Sequence, residues 1–500
     1  MGIFSPKKSL KILFVATEAS PFAKVGGLGS VMYSLPKALS DIGYDVRIMM
    51  PRYLSIDDKI HNLVIEYKEL EVPTNGDDSR RIICNIKRCD PSPDSKAGVT
   101  TYFLENMEYY EQRANVYGYA DDAIRWALLC RGTLEFLKQS NSWIPDIIVS
   151  SDWQTGLIPN YLKTVYNKDP ILSKIATVFS IHNLYYQAMF DHHFVSEMDF
   201  DDGHSGIPNF DNPRLYKLNF MRRGIMYADA INTVSPTYAR EIMTKEFGEL
   251  LDELLRERRA VLTGILNGID YSLWDPDGDP HIPNRFSADN LEERAKNKKA
   301  LQERFGLNVK KDTLIVSVVN RLSRQKGLDM LFPILEFLIK ELPLQLVLVG
   351  EGDSDMMTYF HNLETQFPGR VAVHLKFDPI LPHIVFAGSD ITLVPSRFEP
   401  CGLVQMEAMR MGCIPIVRKT GGLADSVEDY NPDKDSGTGF VFEKFDSSSM
   451  MISLIRAFEN FRDKKKWAHL QKRAMSKDFS WDTSAKKYVE LFARAIELHK

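Results

Sequence analysis

The sequence predicts an α/β fold made of two doubly wound, Rossmann-like domains, and three observations lead to this prediction. The chain has 500 residues, which is more than one hydrophobic core usually organises. Short apolar runs alternate with segments of helical periodicity, as in parallel sheets that carry helices on both faces. A segment rich in Pro, Gly and Asp, residues 275–283, interrupts this alternation, which then starts again.

The first domain is predicted to open with a strand at residues 10–17, which leads into glycines and then into a helical pattern at residues 31–42. Two longer helices are expected in this domain, at residues 120–139 and 215–228. Its other strands are predicted at residues 45–50, 146–150, 175–181 and 230–234.

In the second domain a helical pattern follows each predicted strand, so the same parallel arrangement is expected. A last helix is predicted at residues 483–498. Two such domains in tandem would place the carboxyl ends of their strands across a cleft, where ligands of such sheets bind. The strands of this domain are predicted at residues 313–319, 344–349, 371–375, 391–394 and 414–417.

Composition and charge exclude several classes of protein. The formal net charge is −5 and the charges are scattered, so no basic face for nucleic acid or anionic membranes is predicted. The five cysteines are odd in number and form no C-x-x-C pair, which argues against a disulfide framework or a zinc site and favours the reducing cytoplasm. The first eight residues lack the apolar core of a signal peptide, and no run of about 18 apolar residues is present to span a bilayer.

The most informative motif covers residues 395–407 and follows the predicted strand at 391–394. It contains Glu399 in a loop and Glu407 eight positions later, within a helix predicted at residues 403–411. The free amides of Gly402 and Leu403 at the start of that helix favour an anion. This arrangement predicts a site for an anionic leaving group and the sugar attached to it.

These residues and six other motifs resemble those of the glycogen and starch synthases, which are retaining glucosyltransferases that move glucose from a nucleotide sugar onto an α-1,4-glucan. The likeness covers nearly the whole chain and implies the two-domain GT-B architecture, with the C-terminal helix packed back on the first domain. It divides the chain into an acceptor-side domain at residues 1–262, a donor-side domain at 263–475 and a returning segment at 476–500. The seven motifs, in chain order, lie at residues 24–29, 151–156, 180–183, 233–239, 264–270, 320–327 and 395–402.

Arg321 and Lys326 are the candidate cations for the leaving diphosphate. They follow the strand predicted at residues 313–319, and fixed cations can stabilise the diphosphate in place of a metal ion. Two solvated surface cations are the alternative for this spacing taken alone. The resemblance implies that Lys24 reaches the outer phosphate of the donor and that the glycines beside it, among them Gly27, line the donor site. A plain turn is the alternative.

His182 and Asp152 each follow a predicted strand of the first domain directly. The resemblance implies that His182 lies next to the reacting sugar and fixes its 6-hydroxyl, and that Asp152 lies near the acceptor end of the cleft. A hydrogen-bonded core histidine and a helix N-cap are the respective alternatives.

The other implied donor contacts belong to the second domain. Glu399 would contact the transferred glucose, and a ring at Phe377 would stack on the nucleotide base unless it is a core phenylalanine. Glu407 completes an E-x7-E pattern that holds ribose hydroxyls in the wider class of two-domain retaining transferases and that ADP-glucose synthases often lack, so the choice between ADP-glucose and UDP-glucose is less secure than the reaction type. The remaining donor-binding residues are Cys401, Gly402, Leu403, Thr420 and Gly421.

Two features depart from the pattern or imitate another one. Ser30 stands where the family usually has Asp, and it is assigned no role. Asp353 and Asp355 form a D-x-D sequence that binds a divalent cation in other sugar transferases. Because Arg321 and Lys326 already supply positive charge, we expect neither a metal ion nor another cofactor, with ADP-glucose as a co-substrate.

Three other functions are weighed against the synthase. One is a transferase of the same fold that uses UDP-glucose or a different acceptor. A dinucleotide-dependent oxidoreductase would need G-x-G-x-x-G after the first strand and an acidic residue about 20 positions later, and this pair does not occur there. A noncatalytic glucan-binding protein is disfavoured because the candidate catalytic residues are all present.

Overall fold

The structure, a computed structural model, describes residues 9–74, 80–92, 98–140, 142–187 and 200–500, so the N-terminal octapeptide weighed for targeting signals lies outside the described residues. The chain forms two compact units. Unit 1 contains Met1–Val234, Ala239–Ile265 and Trp481–Lys500, and unit 2 contains Ser235–Tyr238 and Leu266–Ser480. The main divisions therefore fall after residues 265 and 480, compared with 262 and 475 in the division made from the sequence.

Unit 1 is built on one sheet with the strand order β3-β4-β5-β2-β1-β6-β7-β8-β9. The five strands predicted from apolar runs are confirmed, with limits that differ by two residues or fewer. The strands are β1 (Lys11–Val15), β2 (Asp45–Pro51), β3 (Val64–Pro73), β4 (Arg81–Cys89), β5 (Thr100–Glu105), β6 (Ile147–Ser151), β7 (Ala176–Ile181), β8 (Ala230–Thr233) and β9 (Leu262–Gly264).

One edge of this sheet is antiparallel, and the prediction of purely parallel strands is wrong there. Strand β4 pairs antiparallel with both β3 and β5, whereas β5 joins the parallel part through β2. The buried positions of β3 are Leu70, Val72 and Pro73, and irregularities interrupt its register. An edge strand that is half exposed lacks the continuous apolar run that made the central strands recognisable.

The helix predicted at residues 215–228 is two elements. A 3-10 turn at Pro213–Lys217 comes first, and α4 starts after Asn219, whose side chain accepts a hydrogen bond from the backbone N–H of Arg222. This N-cap satisfies one of the free amides at the start of the helix and fixes where it begins. The helices up to residue 265 are α1 (Gly27–Asp41), α2 (Asp122–Ser140), α3 (Leu157–Lys163), α4 (Phe220–Tyr227), α5 (Pro236–Glu241) and α6 (Asp252–Glu257).

Unit 2 has a six-stranded sheet in the order β12-β11-β10-β13-β14-β15, and every pair in it is parallel. The strand order reverses at β10, which pairs with β11 on one side and with β13 on the other, and this is the switch point where doubly wound sheets bind ligands. The strands are β10 (Leu314–Val319), β11 (Leu344–Val349), β12 (Val371–His374), β13 (Ile391–Val394), β14 (Ile414–Arg418) and β15 (Phe440–Phe442).

The last helix, α15 (Trp481–His499), belongs to unit 1, as the resemblance implies. Its buried face enters the core of that unit through residues such as Trp481 and Phe492, and the hydroxyl of Tyr488 accepts a hydrogen bond from the side-chain amide of Asn232 at 3.1 Å. The helices of unit 2 are α7 (Leu291–Arg304), α8 (Leu335–Glu341), α9 (Ser354–Gln366), α10 (Leu381–Gly388), α11 (Val404–Arg410), α12 (Gly421–Ser426), α13 (Ser447–Phe461) and α14 (Lys464–Met475).

Candidate active site

The candidate residues of unit 1 follow three neighbouring strands of its sheet. Lys24 lies in the loop between β1 and α1, Gly27 is the first residue of α1, Asp152 directly follows β6, and His182 directly follows β7. Because β1, β6 and β7 are adjacent and parallel, all four residues lie near the carboxyl ends of these strands. Lys24 is exposed, and no atom lies within 4 Å of the position that a side chain on Gly27 would occupy.

A buried glutamate that the motif search did not single out holds this loop. Glu18 accepts hydrogen bonds from the backbone N–H groups of Val25 at 2.6 Å and Gly26 at 2.9 Å. The hydroxyl of Tyr117, from a distant loop, donates to its other oxygen at 2.8 Å. An acidic residue soon after a strand and ahead of a glycine loop was the only signal for it in the sequence.

Asp152 is held in an unusual backbone conformation, with φ of 56°. Its side chain does not cap the turn that follows, so the N-cap alternative is wrong; the carboxylate instead accepts the backbone N–H groups of His182 at 2.7 Å and Asn183 at 3.2 Å. The pKa of Asp152 is raised to about 7, chiefly by burial and to a smaller extent by the nearby charge of Glu18, while these two hydrogen bonds lower it. Asp152 therefore ties the ends of β6 and β7 together.

His182 is partly buried, and its ring nitrogen Nε2 lies 3.2 Å from the hydroxyl of Ser180. Burial lowers its pKa to about 4. The ring is therefore neutral at pH 7, so it can donate one hydrogen bond and accept another without carrying a charge. A neutral ring of this kind suits contact with sugar hydroxyls.

In unit 2, Arg321 and Lys326 lie in the segment after β10, and Glu399 lies in the loop after β13, the next strand of the sheet. The Lys326 Nζ atom lies 2.6 Å from a carboxylate oxygen of Glu399. Arg321 is exposed, and no carboxylate of the described residues forms an ion pair with it. The hydroxyl of Ser396 donates to the same Glu399 oxygen at 2.8 Å, a contact that the sequence did not predict.

The loop that carries Glu399 turns into α11 through Gly402, whose φ of 71° is in the left-handed region. The side-chain amide of the fully buried Gln405 donates to the carbonyl oxygen of Gly402 at 2.8 Å and to the hydroxyl of Ser426 at 3.0 Å. Glu407 lies in the first turn of α11 and is partly buried. Gln405 thus joins this loop to Ser426, the last residue of α12.

Thr420 and the first two residues of α12, Gly421 and Gly422, follow β14 and pack backbone against backbone on the Glu399 loop. A Cβ atom on Gly421 would lie 1.9 Å from the carbonyl oxygen of Glu399, and one on Gly422 would lie 2.0 Å from that of Cys401. The N–H of Gly422 donates to the carbonyl oxygen of Glu399 at 3.1 Å. Thr420 is the N-cap residue of α12, although its side chain caps no amide there.

The remaining donor candidates differ in exposure. Phe377, after β12, is 75% exposed, so the core alternative for this ring is wrong. Its backbone N–H donates to the carboxylate of Glu351, which follows β11, at 3.2 Å. Cys401 is buried, and burial raises the pKa of its thiol to about 12, so it does not supply a thiolate at neutral pH.

The D-x-D sequence has a structural role. The Asp353 side chain accepts hydrogen bonds from the backbone N–H groups of Asp355 and Met356 and caps α9. Among the residues that the structure describes, no group of three or more His, Cys, Asp and Glu side chains is arranged to hold a metal ion. Within the residues that the structure describes, no helix is both long enough and apolar enough to cross a membrane.

Comparison with known families gives two matches that together cover most of the chain. The family described as starch synthase catalytic domain matches residues 11–257, and the family described as glycosyl transferases group 1 matches residues 300–475.

Named proteins match at full length. The glycogen synthase of Thermotoga maritima is 42% identical over 497 residues, covering 97% of this chain and 99% of that protein. The glycogen synthase of Clostridium perfringens is 41% identical over 493 residues, covering 98% and 99%.

Solved structures agree with these matches. The catalytic domain of starch synthase IV from Arabidopsis thaliana, bound to ADP and acarbose, superposes with a TM-score of 0.84 at 33% identity, covering 98% of this chain and 100% of that one. Sucrose-phosphate synthase from Thermosynechococcus elongatus superposes with a TM-score of 0.58 at 18% identity, covering 97% of this chain and 98% of that one. This likeness concerns the fold only.

Proposed function

We propose that this chain, which belongs to the family of glycogen and starch synthases, transfers glucose from ADP-glucose to the non-reducing end of an α-1,4-glucan with retention of configuration. Membership of the family makes it a glycosyltransferase. The nucleotide, the metal independence and the roles of single residues are the proposed parts.

The observation that carries the proposal is the set of charged groups at the switch point of unit 2. Arg321 and Lys326 follow β10, and the carboxylate of Glu399, after the adjacent strand β13, lies 2.6 Å from Lys326. As the glycosidic bond breaks, negative charge develops on the leaving diphosphate, and two cations fixed at this place would stabilise it. Glu399, which keeps the Lys326 ammonium in place, would also accept hydrogen bonds from glucose hydroxyls.

The groups of unit 1 suit an uncharged glucose ring and the outer phosphate that is attached to it. A neutral His182 can hydrogen-bond to the 6-hydroxyl of the glucose, and Asp152 fixes the backbone that carries this ring. Lys24 is exposed and presents a point charge for the outer phosphate, beside the open face of Gly27. Asp152 itself belongs, in this proposal, to the acceptor side of the site.

Retention does not require a protein nucleophile in the proposed reaction. The bond between the anomeric carbon and the diphosphate oxygen breaks, and the acceptor 4-hydroxyl oxygen forms the new bond on the same face of the sugar. The proton of that hydroxyl passes to the leaving phosphate oxygen, which acts as the base. This route fits a site whose carboxylate, Glu399, is already engaged by Lys326 and Ser396.

The preference for ADP-glucose rests on the relatives of this chain. The starch synthase IV structure is bound to ADP. The exposed ring of Phe377 is available to stack on a base, which adenine and uracil both offer. Glu407 completes the E-x7-E pattern that ADP-glucose synthases often lack, so it favours the UDP-glucose alternative, which the donor assay tests.

The test is transfer of labelled glucose to glycogen by the purified protein, with ADP-glucose or UDP-glucose and a chelator present. Incorporation from ADP-glucose in chelator is the expected result. Preference for UDP-glucose would overturn the donor assignment, and dependence on added metal would overturn the metal-free route. No incorporation from either donor would refute the proposed acceptor, and donor hydrolysis would then be measured.

A further inference from the structure

Glu18 is a buried carboxylate with no cation beside it. Only 3% of the residue is exposed, and among the residues that the structure describes no Lys, Arg or His forms an ion pair with it. Burying an ionised carboxylate is costly unless hydrogen bonds or a counter-charge compensate for it. Glu18 therefore depends on its hydrogen bonds, and the partners in those bonds indicate what the residue does.

Two of these partners are backbone amides of the glycine loop after β1. One carboxylate oxygen accepts both the Val25 N–H, at 2.6 Å, and the Gly26 N–H, at 2.9 Å. The other oxygen accepts the hydroxyl of Tyr117 at 2.8 Å, and that hydroxyl also lies 2.7 Å from the hydroxyl of Thr17. The carboxylate thus links the loop to the end of β1 and to a tyrosine about 100 residues away in the chain.

The loop leads directly into α1, whose N-cap residue Gly26 has no side chain to cap the helix. Glu18 accepts the N–H groups of Gly26 itself and of the residue before it, which fixes the chain where it enters the helix. Gly29 makes room for it, because a Cβ atom there would lie 3.1 Å from the Glu18 carboxylate and 3.1 Å from the carbonyl oxygen of Ala23. Gly27, in contrast, has no atom within 4 Å of its Cβ position and stays open.

We infer that Glu18 is a positioning residue for the nucleotide-sugar phosphates. It occupies the amides of Val25 and Gly26 with its own negative charge, so an incoming phosphate is kept from those amides. The phosphate is directed instead to the exposed ammonium of Lys24 and the open face of Gly27. This inference rests on the proposed function, in which this loop meets the outer phosphate of the donor.

The test compares Glu18→Gln with Asp229→Asn. Asp229 is a second buried acid of unit 1, which accepts the backbone N–H of Thr177 at 2.8 Å and pairs with Lys163, so it controls for the loss of a buried carboxylate as such. Hydrogen exchange of the peptide that contains Val25 and Gly26 reports the loop without any substrate. Calorimetry with ADP reports binding without turnover, and initial rates give KM for the sugar donor and for glycogen.

Glu18→Gln is expected to speed exchange at Val25 and Gly26 and to raise both the ADP Kd and the donor KM about ten-fold, with the glycogen KM unchanged. Asp229→Asn is expected to leave all of these values near those of the wild type. Tyr117→Phe removes one neutral hydrogen bond to the carboxylate, so a smaller rise of about two- to three-fold in the ADP Kd is expected. This variant decides the matter if Glu18→Gln does not fold.

Unchanged exchange, or faster exchange with an unchanged ADP Kd and donor KM, would overturn the role of Glu18. An equal change in Asp229→Asn would reduce that role to general stability and would overturn it as well. A wild type that binds ADP but transfers glucose from neither donor would refute the proposed function alone, because the ADP Kd of the variants still tests Glu18. A wild type that does not bind ADP would overturn both.

Discussion

The loops at the strand ends of unit 1 and unit 2 are held in place by different means. In unit 1, the carboxylates of two acidic side chains accept hydrogen bonds from the backbone N–H groups of nearby loops. Glu18 accepts two amides of the glycine loop, and Asp152 accepts those of His182 and Asn183. The geometry of these loops of unit 1 therefore depends on side-chain oxygens.

In unit 2 the backbone packs directly on the backbone. A Cβ atom on Gly327 would lie 2.2 Å from the carbonyl oxygen of Pro395, and those on Gly421 and Gly422 would clash with the carbonyls of Glu399 and Cys401. Gly327 and Gly421 also have positive φ, of 67° and 43°. These three glycine positions exclude any larger residue.

Because their loops are held differently, the two units are expected to respond to different changes. Added volume should damage Gly421 and Gly422 of unit 2 far more than Gly27 of unit 1, which has open space, whereas Gly156 of unit 1 is as tight as Gly421, with its Cβ position 1.9 Å from the carbonyl oxygen of Phe220. Changes of charge or pH should move the loops of unit 1, since carboxylates hold them. The predictions below test this contrast, beginning with the largest expected effect.

Gly421→Ala is expected to destabilise the protein by about 3 kcal/mol or more and to abolish transfer, because the methyl group would meet the Glu399 carbonyl at 1.9 Å in a left-handed backbone. Gly27→Ala is the matched control, with a stability change within about 0.5 kcal/mol. Thermal unfolding of both variants measures the contrast. Equal stability of the two would contradict the difference between the units.

Arg321→Ala is expected to reduce kcat by about 100-fold, because a fixed cation for the leaving diphosphate is lost. Stability should stay within about 0.5 kcal/mol of the wild type, since the side chain is exposed. Arg324→Ala removes an exposed cation from the same segment and should keep near-normal activity. If both variants lost activity equally, general charge around the loop, and not Arg321, would explain the effect.

Asp152→Asn is expected to remove a pH dependence of stability that is specific to unit 1. The folded pKa of Asp152, about 7, lies above the ordinary value of 3.8, so the folded state keeps a proton that the unfolded chain has released between those values. Stability from this proton is full below about pH 4 and falls as the pH rises to 7. Between pH 5 and pH 8 the wild type should lose about 2 kcal/mol more than the variant, after allowance for solvent screening of a partly exposed group.

Denaturant unfolding midpoints of the wild type and Asp152→Asn at pH 5 and pH 8 measure this difference. The asparagine oxygen can still accept the N–H groups of His182 and Asn183, so the variant should fold. His182 titrates in both proteins and cancels in the comparison. Parallel pH curves for the two proteins would show that carboxylate protonation does not govern this loop.

Asp353→Ala is expected to have the smallest effect, a loss of about 1 kcal/mol from the missing N-cap of α9. Activity should stay normal, with or without chelator, because this side chain of unit 2 caps a helix and holds no candidate residue of the site. Unfolding and transfer assays on the same preparation test both parts. A loss of activity that manganese restores would instead revive the metal role of the D-x-D sequence.

Much of the fold was predictable because its signals are local. The central strands of both sheets are apolar runs that end in glycine or polar residues, and ten predicted strands are present with limits that differ by two residues or fewer. The antiparallel edge was missed, since β3 is half exposed and irregular. The exposure of Phe377 was also undecided from the sequence, because an isolated phenylalanine does not show which side of a loop it occupies.

The candidate site was predictable as a set of positions and not as a set of contacts. By itself, the sequence determined that the chain has two doubly wound domains and that its charged motifs follow strand ends. Both could be predicted because strand and turn preferences depend on residues that are close in sequence. Only the tertiary structure decided that Lys326 pairs with Glu399, that Asp152 holds His182 and that Glu18 holds the glycine loop. These contacts and the pKa values that follow from them depend on burial and on partners brought together by folding, and no local pattern encodes those.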